Sequence, residues 1–195
     1  MKKILWTLLI VLSLGGARLS ADEAAVVSTE TYYNGFYVGP GIYGAIPLND
    51  DLDPSAYFSG ILGYQWNEFI AVEFESGYVN YDFTEVDAEA SIVPLLFSLR
   101  WNWLVNSEPV EPYIFAGIGV SLNDVSGDAV GTNNIEDSFA AQVGTGFEYY
   151  FNDTVSLKAD VKFYLNKADW DTRFNGNSEL DLYAFMFGFG INFRF

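Results

Sequence analysis

The amino-acid sequence predicts an all-β fold, an eight-stranded antiparallel up-and-down transmembrane β-barrel. Three observations lead to this fold class. Apolar residues recur at every second position in eight long segments, and successive side chains of a strand point to opposite faces of a sheet. Short turns alternate with longer acidic loops between these segments. The opposite parity carries glycines and charged residues of both signs, which suit the interior of a narrow barrel.

The N-terminus has the layout of an export signal. Lys2 and Lys3 precede an apolar run over residues 4–14, and small residues follow the run, as in a secretory signal peptide. The run is well short of the roughly 20 residues that a membrane-spanning helix needs. We expect cleavage after Ala21, with Ala17 as the alternative site.

One domain is expected after this signal. The chain has 195 residues, half of them hydrophobic, so there is enough apolar surface for an ordered structure. The predicted organisation is a signal peptide over residues 1–21, a short N-terminal segment over 22–33 and a barrel domain over 34–195.

The composition excludes several classes of function. The sequence contains no histidine and no cysteine. It therefore cannot form a Ser-His-Asp triad, a thiol nucleophile or a histidine-ligated zinc site. Its net charge of −17 argues against nucleic acid as a partner, because phosphates bind basic surfaces. We expect no cofactor and no enzymatic activity.

The alternation is clearest in residues 155–166, where apolar side chains share one parity and Lys158, Asp160 and Lys162 share the other. Membrane-spanning strands need about 9–11 residues, whereas strands of soluble proteins usually have about five or six. The predicted strands have the longer length. They cover residues 35–47, 56–66, 69–82, 92–103, 113–123, 139–151, 155–166 and 183–195.

The connections alternate in length along the chain. Short connections are predicted at residues 66–68, 106–112 and 152–154. Longer, acidic connections are predicted at residues 47–55, 84–90, 124–137 and 171–179. Short turns at one end and long loops at the other are typical of outer-membrane barrels.

The orientation of the two faces distinguishes a membrane barrel from a soluble one. A soluble lipocalin-like barrel would place its apolar residues inside, but eight strands leave little room for the large aromatic residues of this parity. We therefore expect the apolar face to contact lipid. Aromatic residues near strand ends also form a predicted interfacial girdle, consisting of Trp66, Trp101, Trp103, Tyr149, Phe151, Phe193 and Phe195.

Four segments resemble a known family: GFYVGPGIYG (35–44), ILGYQWNEFIAVEFESGY (61–78), EPYIFAGIGVSLN (111–123) and GFGINFRF (188–195). They are similar to the small outer-membrane β-barrel proteins, a superfamily that includes the OmpA transmembrane domain and the OmpW-like and opacity-type porin-family proteins. The resemblance implies location in the bacterial outer membrane. It also implies that the terminal pattern of Gly190, Phe193 and Phe195 is recognised by the barrel-assembly machinery.

Charged residues on the inward parity balance in sign. They are Glu73, Glu75, Arg100, Glu148, Lys158, Asp160, Lys162 and Arg194. We expect a belt of ion pairs that fills the periplasmic half of the lumen, since buried charges are tolerated only when they are paired. The network either plugs the barrel or gates a narrow pore by exchanging partners.

Strand register predicts which of these charges meet. The three-residue connection between the sixth and seventh strands places Glu148 opposite Lys158, with both on the inward face. The 84–90 loop connects the third and fourth strands as a hairpin. In this hairpin, Glu73 or Glu75 is expected to lie near Arg100.

The long connections are acidic. The residues concerned are Asp50, Asp51, Asp53, Glu85, Asp87, Glu89, Asp124, Asp128, Glu136, Asp137, Asp169, Asp171 and Glu179. Three roles stay open for these residues: solvation of the loops with electrostatic repulsion of neighbouring cells, weak binding of divalent cations that bridge to lipopolysaccharide, or contact with a basic partner. The sequence identifies no specific loop partner. No dedicated metal site is expected, because the 50–53 run lacks EF-hand spacing.

Three functional hypotheses follow. The leading one is a non-enzymatic structural or surface-exposed barrel in contact with outer-membrane lipid and lipopolysaccharide. The alternative is a small channel for ions or hydrophobic compounds, as the resemblance to OmpW-like proteins implies. An outer-membrane enzyme is disfavoured, because the enzymes of this kind use histidine and the chain has none.

Overall fold

The computed structural model describes six parts of the chain, residues 35–49, 51–84, 88–103, 109–127, 137–170 and 178–195. The predicted signal peptide and N-terminal segment lie outside them. The described residues form strands and contain no helix long and apolar enough to cross a membrane. The strands are β1 (Gly35–Pro47), β2 (Ser55–Gln65), β3 (Ile70–Asp82), β4 (Ala88–Asn102), β5 (Val110–Gly127), β6 (Ser138–Tyr150), β7 (Val155–Trp170), β8 (Ser178–Asp181) and β9 (Ala184–Arg194).

The strands close into an antiparallel barrel. Each strand from β1 to β7 pairs with the next, and β9 pairs with both β7 and β1. The short β8 pairs with the end of β7 beyond β9, so β8 and β9 form one wall that is interrupted at Leu182 and Tyr183. The predicted eight-stranded up-and-down barrel is confirmed, and its closure leaves no free sheet edge within the membrane.

Three strands, β4, β5 and β7, extend further than predicted, mainly at the long-loop end. β4 begins at Ala88, inside the predicted 84–90 loop, and β5 (Val110–Gly127) takes residues from both connections that flank it. β7 continues to Trp170, and β8 begins inside the predicted 171–179 loop. The apolar alternation that predicts the strands ends where the side chains no longer contact lipid. Backbone pairing continues beyond that level because a polar strand still satisfies its hydrogen bonds with its neighbour.

The predicted orientation of the two faces is confirmed. On β4, Phe97 is 62% exposed on the outer face, whereas Arg100 is 0% exposed inside. The outward residues from Val93 on β4 to Trp103, which directly follows β4, are apolar. This length corresponds to an apolar band about 25 Å tall for a tilted strand. The seven residues of the predicted aromatic girdle are all exposed on this outer face.

Asparagine side chains shape two of the short turns. The Oδ1 atom of Asn67 accepts hydrogen bonds from the backbone N–H groups of Phe69 and Ile70, both at 2.9 Å. Asn152 does the same for Thr154 and Val155, at 2.9 and 2.8 Å. An asparagine side chain that accepts a hydrogen bond from the backbone N–H two residues later stabilises a tight turn. The same type of hydrogen bond therefore stabilises the turns of both hairpins.

Large aromatic side chains inside the barrel face glycines on neighbouring strands. A Cβ atom on Gly63 would overlap the ring of Tyr37, which lies directly opposite on β1. The inward glycines therefore do more than fit a narrow interior. They make room for aromatic rings, in the register pairs Tyr37–Gly63, Tyr43–Gly188, Tyr113–Gly146 and Phe115–Gly144.

Two glycines of β2 offer a matched test of this packing. Gly63→Ala is expected to destabilise the barrel by about 1–3 kcal/mol, since the ring of Tyr37 must move away from Glu73. Gly60→Ala is the control, because a Cβ atom there meets nothing within 4 Å on the outer face. Urea unfolding in lipid vesicles measures both variants. Equal stability of the two would contradict the proposed ring–glycine packing.

Candidate functional site

The lumen is the candidate site, because it gathers nearly all buried charge of the described barrel. We call its charged residues the ion belt. The belt lies toward the short-turn end, and all its members are buried or nearly so. It consists of Glu73, Glu75, Arg100, Glu111, Glu148, Lys158, Asp160, Lys162 and Arg194. Eight of these nine residues are those predicted from the inward parity.

Arg100 lies at the centre of the belt. Its guanidinium donates to Glu148 on β6 and approaches Glu73 on β3, where Nη1 lies 3.5 Å from Oε1. Its Nε donates to Asn102 at 2.7 Å. The guanidinium also lies 3.8 Å from the ring centroid of Tyr113, a cation–π distance. One fully buried cation on β4 thus contacts side chains of β3, β5 and β6.

The carboxylate of Glu148 accepts hydrogen bonds from several donors. Besides Arg100, it accepts hydrogen bonds from Arg194 at 3.2 Å, from Asn192 at 2.9 Å and from Ser156. A buried carboxylate is tolerated when its lone pairs are satisfied in this way. Glu148 and its partners therefore join β4, β6, β7 and β9 at the short-turn end.

The predicted register of β6 and β7 is confirmed, but the ion pair inferred from it is not formed. Glu148 and Lys158 are direct cross-strand partners. Lys158 nevertheless pairs with Asp160 on its own strand, at 3.6 Å, while Glu148 binds the two arginines. Lysine and arginine differ here because a planar guanidinium can bridge two carboxylates across the lumen.

A second ion pair crosses the lumen nearer to its middle. Lys162 on β7 pairs with Glu75 on β3, and Gln142 donates to the same carboxylate at 3.0 Å. The Lys162 ammonium also lies 4.5 Å from the ring centroid of Tyr43. The expectation that Glu73 or Glu75 lies near Arg100 thus holds for Glu73, whereas Glu75 binds a lysine from the opposite wall.

Five inward tyrosines complete the belt and were not identified from the sequence. Each hydroxyl donates to a belt carboxylate. The pairs are Tyr37 to Glu73 (2.6 Å), Tyr43 to Asp160 (3.3 Å), Tyr57 to Glu75 (3.0 Å), Tyr113 to Asp160 (2.9 Å) and Tyr150 to Glu111 (2.9 Å). These tyrosines occupy inward-facing positions of their strands, as the belt charges do. That shared parity is the feature of the sequence from which they could have been predicted.

Glu111 is the belt residue that the sequence analysis missed, because it fell within the predicted 106–112 connection. It lies on β5 directly opposite Glu148. Its carboxylate accepts from Tyr150, whose hydroxyl in turn accepts from Arg194 at 2.7 Å. The belt therefore contains five acidic and four basic residues, rather than the four of each sign that were predicted.

The long-loop half of the lumen is largely apolar, a feature not predicted from the sequence. We call this cluster the apolar plug; Tyr43 and Tyr57 connect it to the ion belt. It is made of buried side chains, with Phe83 packed against them. Its members are Tyr43, Ala45, Leu52, Tyr57, Val79, Tyr81, Ala90, Ile92, Leu96, Ala140, Tyr164, Leu182, Ala184 and Met186. One buried polar group lies within this half of the lumen, in which Ser138 donates to Asn166 and Asn166 donates to Ser121 at 3.2 Å. The lumen thus has an ionic half and a largely apolar half in series.

The three residues of the predicted assembly pattern lie at the closing strand. Gly190 faces the lumen, and a Cβ atom there would meet the Lys158 side chain. Phe193 and Phe195 are exposed on the outer face. The backbone N–H of Phe195 donates to Phe36 at 3.0 Å, so the terminal residue takes part in closing the barrel.

The acidic residues of the long connections are only partly described. Asp51, Asp53, Glu89, Asp124 and Asp137 are exposed at the long-loop end. The backbones of two more lie in strands, Asp169 in β7 and Glu179 in β8. Outside the described residues lie Asp50, Glu85, Asp87, Asp128, Glu136 and Asp171. Within the described parts, no group of three or more acidic side chains is placed to hold a metal ion.

Solved structures with a similar fold are all-β barrels. Neisserial surface protein A has a TM-score of 0.64 and 19% identity, over 83% of this chain and 97% of that one. OprG from Pseudomonas aeruginosa has a TM-score of 0.60 and 15% identity, covering 84% and 98%. Outer membrane protein W of E. coli has a TM-score of 0.55 and 17% identity, also covering 84% and 98%.

No curated protein matches the sequence significantly. The family model for the outer membrane protein beta-barrel domain, however, matches residues 7–195, which is nearly the whole chain. That match agrees with the closed barrel, its lipid-facing apolar band and its buried ion belt. The protein therefore belongs to the outer membrane protein beta-barrel domain family and resides in the bacterial outer membrane.

Proposed function

We propose that this chain is a non-enzymatic, structural outer-membrane protein whose lumen is filled by its own side chains and passes no solute. Its acidic loops face the outside of the cell. The observation that carries the proposal is the pair of layers in series along the lumen. A solute would have to cross both the ion belt and the apolar plug.

The ion belt supports a closed lumen because opening it would break several buried interactions at once. Arg100 and Glu148 are both 0% exposed, and each has more than one partner. Separating a buried pair leaves an uncompensated charge, at a cost of about 3–5 kcal/mol. A network held in this way favours one closed arrangement.

A non-enzymatic role is supported by the residues available for chemistry. The sequence has no histidine or cysteine. The described lumen carboxylates accept hydrogen bonds from arginine, lysine, tyrosine or amide groups. Such carboxylates are held as structural acceptors rather than positioned beside a nucleophile.

The proposal is tested by the conductance of the refolded protein in planar lipid bilayers. We expect no steady single-channel openings, because both layers block the lumen. Folded protein is verified by the band shift between unheated and heated samples on SDS gels. Reproducible openings from folded protein would overturn the closed lumen.

The second candidate is a small channel, and one feature of the belt favours it. Arg100 contacts both Glu73 and Glu148, and Arg194 contacts both Glu148 and Tyr150. Exchange between such alternative partners could open a narrow path without leaving a charge unpaired. The apolar plug beyond the belt would then favour uncharged, hydrophobic compounds. Openings that vanish when Arg100 or Glu148 is neutralised would support this candidate.

The proposed partners follow from the outer surface. The apolar band contacts outer-membrane lipid, and the acidic long-loop end lies at the level of lipopolysaccharide. Because exposed carboxylates repel lipopolysaccharide phosphates, contact there would use sugar hydroxyls or a bridging divalent cation. The barrel-assembly machinery would recognise the exposed terminal aromatics Phe193 and Phe195. The net charge of −17 disfavours nucleic acid, and no loop partner is proposed.

A further inference from the structure

The ion belt contains one more acidic residue than basic residues. Four of its five acidic residues form an ion pair with a belt cation, namely Glu73, Glu75, Glu148 and Asp160. The fifth, Glu111, forms no ion pair with any residue that the structure describes. The uncompensated negative charge of the belt is therefore the charge of Glu111.

Glu111 lies inside the barrel at its short-turn end. It is the second residue of β5 and is 8% exposed. The carbonyl of the next residue, Pro112, accepts from the backbone N–H of the girdle residue Trp103 at 2.8 Å, and the exposed apolar residues of β5 begin at Ile114. The carboxyl group thus lies at the level of the membrane interface. Protons from the periplasmic side can reach it without crossing the belt or the apolar plug.

The groups around Glu111 do not neutralise it. Its hydrogen-bond donor is the hydroxyl of Tyr150 on β6, at 2.9 Å, which is an uncharged group. Its direct cross-strand partner is a second carboxylate, Glu148. The two cations that face it, Arg100 of β4 and Arg194 of β9, are both bound to Glu148.

A proton on Glu111 removes two unfavourable contributions at once. Like charges directly opposite each other destabilise a sheet, and a buried charge is costly unless it is paired. Protonation abolishes the charge but keeps the hydrogen bond, because the carbonyl oxygen of the neutral acid still accepts from Tyr150. The remaining acidic residues of the belt then equal the basic ones in number.

We propose that Glu111 is a proton-binding site at the inner end of the ion belt. The folded barrel holds this proton at pH values where an exposed glutamate has released it, and the proton stabilises the closed inner end of the lumen. The inference adds a bound ligand to the proposed closed lumen. Its test measures stability rather than conductance, so the two proposals can fail separately.

The sign of the pH dependence follows from the proton count of the two states. An ordinary glutamate releases its proton near a pH of about 4.3, so above that pH only the folded chain holds the Glu111 proton. Stability then falls as the pH rises, since the folded state binds more protons than the unfolded state. Ion-paired carboxylates act in the opposite sense and at lower pH. The chain has no histidine, the side chain that ordinarily titrates near neutral pH.

Urea unfolding of the barrel in lipid vesicles, at about pH 5.5 and about pH 8, tests the site. We expect the folding equilibrium constant of the wild type to be about tenfold or more larger at the lower pH. Glu111→Gln imitates the protonated acid, so it should be more stable than the wild type at the higher pH and should lose this pH dependence. A wild type whose stability is constant or rises with pH would overturn the site, as would full pH dependence in Glu111→Gln.

Two matched variants locate the effect. Asp153→Asn neutralises an exposed carboxylate of the turn at the same end of the barrel and should keep the pH dependence of the wild type. Glu148→Gln removes the facing charge, so it should weaken the pH dependence but, unlike Glu111→Gln, lower the stability at the higher pH. Loss of the pH dependence in Asp153→Asn, or its full retention in Glu148→Gln, would contradict the assignment to Glu111.

A small metal cation could neutralise the same charge, and a change of salt distinguishes it from a proton. At the higher pH, replacing choline chloride by sodium or potassium chloride at equal ionic strength should not change the stability. A gain as large as that from the lower pH would mean that the site takes a metal cation and would overturn the proposal.

Infrared spectroscopy of the wild type keeps the proposal testable should Glu111→Gln fail to fold. The carboxylic-acid C=O band should be present in the folded barrel at the lower pH, because the ion-paired carboxylates of the belt do not contribute to it. Absence of this band at the lower pH would mean that Glu111 holds no proton.

Discussion

Replacing Arg100 with methionine is expected to destabilise the barrel by about 3–5 kcal/mol, the cost of removing one partner of a buried ion pair. The guanidinium is 0% exposed and lies between Glu73 and Glu148. Without it, two carboxylates on opposite walls share the lumen with one cation fewer. Urea unfolding in lipid vesicles, followed by the fluorescence of the four tryptophans that lie after the predicted signal peptide, measures the loss.

A second substitution tests the cause of that loss. Glu148→Gln, added to Arg100→Met, removes one of the abandoned charges and should restore part of the stability, since neutral groups cost less to bury. Arg100→Lys keeps the charge but cannot bridge both walls, so it should fall between the wild type and Arg100→Met. A change below about 1 kcal/mol for Arg100→Met would show that the belt is not a structural element.

The fold was predictable because lipid imposes a strict local rule. Every second side chain of a membrane-spanning strand meets hydrocarbon, so parity alone assigned Phe97 to the outside and Arg100 to the inside. The hairpin turn between β6 and β7 likewise set the register of Glu148 against Lys158. These features depend on residues that are close along the chain, and the sequence displays them directly.

The ion pairing could not be predicted in the same way. Arg100 and Glu148 lie on β4 and β6, and Lys162 and Glu75 lie on β7 and β3. Pairs across the lumen form only once the barrel has closed, and its diameter and strand stagger decide which side chains meet. Hairpin register identifies neighbours on adjacent strands and contains no information about the opposite wall.

The apolar plug escaped prediction for a related reason. Inside the barrel, Ile92 and Leu96 share the inward parity of Arg100, yet they lie at the long-loop end, where the lumen is largely apolar rather than ionic. Leu52, another member of the plug, comes from the connection between β1 and β2, which has no periodic pattern. Strand extensions such as the start of β4 at Ala88 were missed because polar residues form them above the lipid.

Placing arginine on the lipid face tests the orientation on which the fold and the location both depend. Ile118 is 62% exposed on the outer face of β5, in the middle of its apolar stretch. Ile118→Arg is expected to destabilise the barrel by about 2–4 kcal/mol in lipid vesicles, the cost of a cation at the bilayer midplane. The unfolding assay is the one used for Arg100→Met, so the two losses can be compared directly.

The matched control lies six residues further along the same face. Asp124 is also outward and exposed, but it lies beyond the apolar stretch, so Asp124→Arg should change stability by no more than about 0.5 kcal/mol. A difference between the two variants isolates depth in the bilayer, because strand, face and introduced side chain are the same. Equal effects at both positions would mean that Ile118 does not contact hydrocarbon. The outer apolar band would then need a protein partner to cover it.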